Sequence, residues 1–381
     1  MSRNFSSLKK NISLIALILF SCSSFGQNIE LSKDSHVSVI TCGLGNESYS
    51  LFGHTALRVE DSINGIDVVY NYGAFDFNTP NFVMKFIKGD LQYFAVTNSY
   101  RDFINQYQYE KRSVYEQDLN IPLELKQQLF ENLQTSLSSG ESYYTYKFID
   151  KNCTSMVVDI INKTLKTSAI TKRENTEITY RTILYPYFDG HFYEKLGTSI
   201  IFGKKVDQLG TQIFLPFELQ KSLEKVTFQN VPLAPQNKTI LEFSNTKAFS
   251  WWNNPSTYSI VLLFFIFVRK KSISLFYLSI IGVISLFFTF VGFYSDHLEL
   301  GYNYNILLFN PSLLLFLYFY WIKNKKAIYR LAGFNIFCLL VYIFFLIGKA
   351  HFIIVLPLVI TSGILLVRIA IQNKKRIPII I

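Results

Sequence analysis

From Trp251 onward the chain becomes a succession of Leu, Ile, Phe, Val and Tyr runs separated by short basic clusters. A bilayer asks for about 20 apolar residues per helix, and a soluble core rarely asks for so many in continuous runs. Candidate spans fall at 251–268, 272–294, 304–322, 331–348 and 351–370. Residues 251–381 are therefore expected to form an all-α transmembrane bundle of about five helices. Trp251-Trp252 would anchor the first span at the interface.

Half of the 381 residues are apolar and 17% are charged, with a formal net charge of +10. A basic excess can mark a nucleic-acid partner. Here much of it sits beside the apolar runs, in Arg269-Lys270-Lys271, Lys323 to Lys326 and Lys374-Lys375-Arg376. That is the signature of cytoplasmic loops, so no nucleic acid is expected. The clusters follow spans one, three and five, while Ser295-Asp296-His297-Leu298-Glu299 after span two carries no Lys or Arg. The rule that basic loops stay inside then places everything before Trp251 outside the cytoplasm.

The N-terminus agrees. Arg3, Lys9 and Lys10 precede the apolar stretch Ile12 to Phe20 and a run of small polar residues. Residues 1–26 read as a secretory signal peptide, cut near Gly26-Gln27. Leu19-Phe20-Ser21-Cys22 is a degenerate lipobox, which leaves Cys22 either lipidated or removed with the leader. The expected location is the bacterial cell envelope: a multi-pass inner-membrane protein with its N-terminal domain in the periplasm.

Residues 27–250 carry the mixed composition of a globular domain. Val37 to Thr41, His54 to Glu60 and Asp67 to Tyr72 read as strands, the last two joined by turn chemistry over Asp61 to Gly65. Leu123 to Leu137 has helical periodicity, and a second helical pattern starts at Cys153. Residues 165–250 alternate short pieces with Pro186, Pro216, Pro232 and Pro235, and give no clear assignment. The domain is expected to be α+β, an antiparallel sheet with helices.

Two segments in it carry the residue types of a thiol enzyme. One holds Phe52-Gly53-His54-Thr55-Ala56-Leu57-Arg58 followed by Tyr70-Asn71-Tyr72-Gly73; the other holds Asn152-Cys153-Thr154. A thiol attacks as thiolate, and a helix N-terminus and a nearby imidazole both favour that form. A third polar group must fix the imidazole tautomer. Asn71 on the partner strand is placed to accept from the second ring N–H, with Tyr70 as its competitor. Cys42 is the other cysteine of the domain, open to packing or to a disulfide with Cys153. Arg58 is a candidate for binding a phosphate or carboxylate, or for a salt bridge. Asp296 and His297, in a loop expected near the outer membrane surface, are candidates for lining a binding site there, or for a solvated loop. No CxxC or His/Cys cluster has metal spacing, so neither metal nor cofactor is expected.

The order of these motifs resembles circularly permuted papain-like enzymes, the lecithin:retinol acyltransferase and NlpC-like group, in which the His strand precedes the Cys helix. The same motifs, with Asp296-His297, Tyr302-Asn303-Tyr304-Asn305 and Asn310-Pro311 in the tail, resemble a lipoprotein N-acyltransferase family. That resemblance implies a papain-like catalytic domain with Cys153 as nucleophile and His54 as base. It also implies an acyl donor, membrane phospholipid, and an acceptor, the free α-amino group of a diacylated lipoprotein in the same bilayer. The same dyad would equally serve a membrane-tethered cysteine peptidase or amidase acting on cell-wall peptides.

Overall fold

The computed structural model describes residues 29–47, 49–138, 142–244 and 250–374. The expected leader, Cys22, and Lys375-Arg376 lie outside the described residues.

The domain is built on strands β1 (His36–Cys42), β2 (His54–Asp61), β3 (Ile66–Ala74), β4 (Gln92–Ser99), β5 (Val114–Asp118) and β6 (Tyr143–Thr145). A small ribbon, β7 (Thr227–Phe228) with β8 (Val231–Pro232), precedes β9 (Lys238–Leu241). Seven strands form one antiparallel sheet in the order β6-β4-β3-β2-β1-β5-β9. The helices of this domain are α1 (Phe82–Lys88), α2 (Tyr100–Tyr109), α3 (Leu123–Ser138), α4 (Cys153–Leu165), α5 (Tyr180–Leu184), α6 (Phe192–Ile201) and α7 (Pro216–Leu223).

Side chains alternate across a strand, and here both faces are covered. Val37, Val39, Leu57, Val59, Tyr70 and Tyr72 meet Leu129 and Leu133 of α3 and Val157 and Ile161 of α4. On the opposite face Ile40, Cys42, Ala56 and Val69 meet Phe103 and Tyr107 of α2. The sheet thus holds α4 against one face and pins its N-terminus near the start of β2.

The tail contains three helices long and apolar enough to cross a membrane: α9 (Lys271–Tyr294), α11 (Lys325–Leu346) and α12 (Phe352–Asn373). The shorter α8 (Pro255–Phe267) precedes α9, and α10 (Leu315–Trp321) precedes α11. The expected first span begins later than Trp251 because Asn254 caps the helix, accepting from the amides of Ser256 and Thr257, with Pro255 in the first position. Trp252 instead stacks on Tyr193 of α6, with ring centroids 5.6 Å apart. The expected third span, 304–322, is corrected more deeply: it is two 3₁₀ turns, Tyr304–Leu307 and Pro311–Leu314, followed by the seven-residue α10. Pro311 supplies no N–H, and the Asn310 side chain caps the next turn through the Ser312 amide.

These five segments run back and forth between two levels. At one end they bond to the sheet domain: Asn253 to Glu194, Asp296 to Lys88, Tyr304 and Lys349 to Asp207. At the other end they bond to each other: Arg368 donates to the Ile266 carbonyl, Asn373 donates to the Tyr320 hydroxyl, and Lys271 lies 4.0 Å over the Tyr320 ring. Arg269 to Lys271 and Lys323 to Lys326 therefore gather at the end remote from the sheet domain.

The two parts are also joined by buried polar bonds. Arg181, 1% exposed, donates to Asp207 at 2.7 Å, and Asp207 accepts from Tyr304 at 2.6 Å. Glu299 of the 295–301 loop is buried and accepts from the Ile149 amide at 3.2 Å. Residues 165–250, which the sequence left unassigned, supply α6, Arg181 and Asp207 to this junction.

Candidate active site

Cys153 is the first residue of α4. Asn152 is its N-cap, with an extended backbone, and its side-chain oxygen accepts from the amides of Thr154 at 2.9 Å and Ser155 at 3.1 Å. The Asn152 amide nitrogen donates to the carbonyls of Phe148 at 2.7 Å and Phe214 at 2.9 Å. Ser155 closes the capping box by accepting from the Asn152 backbone N–H at 2.9 Å. One side chain thus fixes the loop before Cys153, the helix that carries it, and the segment packed behind it. Neither cap bond uses the amide of Cys153 itself, which stays with the positive end of the helix dipole.

His54 opens β2. Its Nε2 lies 3.1 Å from Asn71 Oδ1, and its other ring nitrogen is left for the Cys153 thiol, to which it hydrogen-bonds. Asn71 is held in turn, donating through Nδ2 to Asn98 Oδ1 at 2.9 Å. The bond to Asn71 requires Nε2 to carry a proton, so Nδ1 is the ring atom that exchanges one with sulfur. Tyr70 is not the third member: it is 2% exposed in the core and accepts from Gln134 through its hydroxyl. Asn98 went unmarked in the sequence because β4 carries no motif; its place follows only from the register, which sets it beside Val69.

The electrostatics favour an ion pair. Burial pushes the Cys153 thiol up, but the charge and hydrogen bond of His54, with bonds from the Thr55 amide and the Thr154 hydroxyl, bring it below its ordinary value. Burial likewise works against a charged His54, and the Cys153 thiolate together with Asn71 outweighs it, raising the imidazole. Each group therefore stabilises the charged form of the other.

Two further residues shape the space around sulfur. Gly73 has φ +107°, and a Cβ there would come 3.7 Å from the Cys153 Cβ and 3.8 Å from the Tyr144 hydroxyl. That backbone favours glycine, and the missing side chain keeps the sulfur approachable. Tyr144 is 4% exposed, and its hydroxyl has no partner among the described residues. Burial and the negative charge of Cys153 push the phenol well up, so it remains a hydrogen-bond donor.

At three places the sequence left alternatives open. Arg58 makes the salt-bridge alternative: Asp67 at 2.7 Å, Glu60 at 3.0 Å and Glu116 at 3.1 Å meet its guanidinium, which lies over the Tyr100 ring. Asp296 pairs with Lys88 at 2.8 Å and its carbonyl accepts from Lys147, while His297 Nε2 meets the Phe86 carbonyl at 3.0 Å. Both fasten the membrane loop to α1 and to the segment leading into Cys153. The Cys42–Cys153 disulfide is absent; both thiols are free, and burial pushes Cys42 to about 12 against the opposing hydrogen bond of Tyr107.

The fold and site define a class: a membrane protein whose α+β domain sets a cysteine at a helix start against a histidine and an asparagine on neighbouring strands. Residues 27–185 match the family model described as the Lnb N-terminal periplasmic domain. The matched part is a periplasmic N-terminal domain, and apolar helices long enough to cross a membrane follow it. No curated protein and no solved structure matches the chain.

Proposed function

We propose that this protein is a membrane-bound thiol acyltransferase that moves an acyl chain from phospholipid to the N-terminal amine of a diacylated lipoprotein. The observation that carries the reading is how the nucleophile is mounted. The segment leading into Cys153 is bonded to the membrane part at two points, Lys147 to the Asp296 carbonyl and Ile149 to Glu299, and Lys205 links Asp150 to the same Glu299. A peptidase tethered for location alone needs one anchoring helix and no such bracing. A catalyst whose two substrates are both lipids gains from holding its thiol at a set place on the bilayer, because shared orientation raises effective concentration.

The chemistry follows from the pair. The Cys153 thiolate attacks an ester carbonyl of the phospholipid, and the oxyanion accepts hydrogen bonds from the Cys153 amide and the Tyr144 hydroxyl. The ester C–O bond breaks as the His54 imidazolium gives its proton to the leaving glyceryl oxygen, releasing lysophospholipid and leaving a thioester with neutral His54. The unprotonated lipoprotein amine then attacks the thioester. His54 takes the amine proton, the C–S bond breaks, and the thiolate–imidazolium pair returns with an N-acyl product.

Intact-mass measurement after incubation with phospholipid should find an acyl group on Cys153 that hydroxylamine removes. In cells, Cys153→Ala should leave lipoprotein N-termini with two acyl chains while the variant still inserts in the membrane. A third chain in that variant overturns the proposal. Release of cell-wall peptide fragments by the parent protein, with no acyl transfer, would reassign the same dyad to hydrolysis.

A further inference from the structure

A cavity of about 510 Å³ lies where the sheet domain meets the membrane helices. Its walls come from three places. Phe52 and Phe148 reach it from the segments that carry His54 and Cys153, Ile200 and Phe202 from α6 and its end, and Ile284 and Phe288 from α9. Phe52 stands two residues before His54, and the Phe148 carbonyl is held by the Asn152 side chain that caps the nucleophile helix. The rings of Phe52 and Phe148 meet edge to face at 5.3 Å. Glu194 is the one charged residue in the lining, and its carboxylate already accepts from Asn253 at 2.9 Å. The remaining walls offer a ligand apolar surface almost alone.

The position along α9 matters. Phe288 and Ile284 lie six and ten residues before Tyr294, the end of α9 on the side of the sheet domain. At the helical rise they reach about 9 and 15 Å below that end, within the hydrocarbon of a bilayer. One wall of the cavity is therefore at lipid depth while another is part of the catalytic segments. We infer that this cavity receives the donor acyl chain of a phospholipid and leads its ester towards Cys153. The inference rests on the acyl-transfer reading and names the place where that substrate is bound. A phospholipid chain suits the site because it is apolar along its length and carries its only reactive group at one end. A volume in the range of small-molecule sites accommodates such a chain.

Gly197 of α6 supplies the test. It lines the cavity, and a Cβ built on it meets nothing within 4 Å. Gly197→Ala should be tolerated, whereas the indole of Gly197→Trp should enter the space. Each methylene kept out of apolar surroundings is worth about fourfold. The full-length protein in nanodiscs would be given dipalmitoyl or dihexanoyl phosphatidylcholine, with Cys153 thioester followed by intact mass. Gly197→Trp should lower acylation by the long-chain donor by about tenfold or more and leave the short-chain donor within about twofold. Alkylation of Cys153 by iodoacetamide should be unchanged.

Equal acylation of Gly197→Trp and parent by both donors sinks the cavity assignment and leaves the acyltransferase intact. Unchanged thioester formation with loss of the aminolysis step also sinks it, because the space would then belong to the acceptor. Absence of thioester in the parent with either donor sinks the acyl-transfer reading itself. Should Gly197→Trp fail to fold, Cys153→Ala protein with a phospholipid bearing a diazirine near its chain end decides the matter. Cross-links at Ile200 to Phe202 or Ile284 to Phe288 support the cavity; cross-links confined to outward residues such as Phe293 and Phe337 overturn it.

Discussion

Cys153 is surrounded by groups that prefer it charged, and that preference can be titrated. Its thiol lies below the ordinary range chiefly through His54, acting against burial, so alkylation by iodoacetamide should proceed at pH values where a free thiol is mostly protonated. In His54→Ala burial acts with less to oppose it, and the alkylation profile should move to higher pH. Acylation should fall at the alkaline end as well: the raised His54 loses its proton there, and the leaving glyceryl oxygen loses its acid. A bell-shaped acylation profile with a single-limbed alkylation profile is the expected pair of results. Coincident profiles in parent and His54→Ala would remove His54 from the site. Tyr144→Phe makes a separate prediction, since it deletes only a hydroxyl that has no partner among the described residues. Loss of one oxyanion donor costs about 10²- to 10³-fold in rate, so thioester formation should drop by that order with alkylation unaltered. The histidine and cysteine were legible in sequence because thiol chemistry demands both and a helix start was visible. Tyr144 and Asn98 were not, because one is a tyrosine among many and the other is reached only through strand register.

At the level of elements, the start of α4 is heavily bonded. Asn152 makes four side-chain hydrogen bonds, two to helix amides and two to the carbonyls of Phe148 and Phe214. Removing an N-cap side chain commonly costs about 0.5–2 kcal/mol, and the two unsatisfied carbonyls place Asn152→Ala at the upper part of that range. Chemical denaturation of the purified protein should show that loss, and Cys153 should alkylate with a less depressed pKa because the helix end is no longer fixed. An unchanged midpoint would mean that water replaces the cap. The hairpin of β2 and β3 was readable for an ordinary reason: alternation on both strands and an Asp61–Gly65 turn, in which Asp61 accepts from Asn64 and from Ser32. The third membrane segment was not readable as it is. Hydropathy counts apolar residues and is blind to backbone bonding, whereas the side-chain oxygens of Asn303 and Asn310 accept from the Asn305 and Ser312 backbone amides and so sustain 3₁₀ turns that the apolar count alone makes helix. The elements of 165–250 escaped for a third reason, since each is too short for periodicity to rise above its neighbours.

At the scale of the molecule, direction is set by which ends of the apolar segments touch the sheet domain. Asn253, Asp296, Tyr304 and Lys349 all do, and the basic clusters at Arg269 to Lys271 and Lys323 to Lys326 stand at the opposite level. The geometry and the distribution of positive charge are independent observations, and both put the sheet domain across the membrane from the basic loops. The length of α8 raises the question of whether it spans alone. Its 13 residues cover about 20 Å, short of about 30 Å of hydrocarbon, so the extended residues on either side must complete the crossing. The test is side-specific labelling in a Cys153→Ala background. A membrane-impermeant maleimide should label Tyr109→Cys, whose side chain is 88% exposed on the sheet domain, in intact spheroplasts. Lys270→Cys and Lys326→Cys should label only after the membrane is opened. Labelling of Lys270→Cys in intact cells, with Lys326→Cys protected, would mean that α8 lies along the surface instead of crossing. With α8 not crossing, Lys326 is protected only if α9 crosses and the segment from Tyr304 to Trp321 does not. Labelling of both positions from outside would contradict the bundle's orientation altogether, because α9 and α11 each begin at one of these clusters and end against the sheet domain.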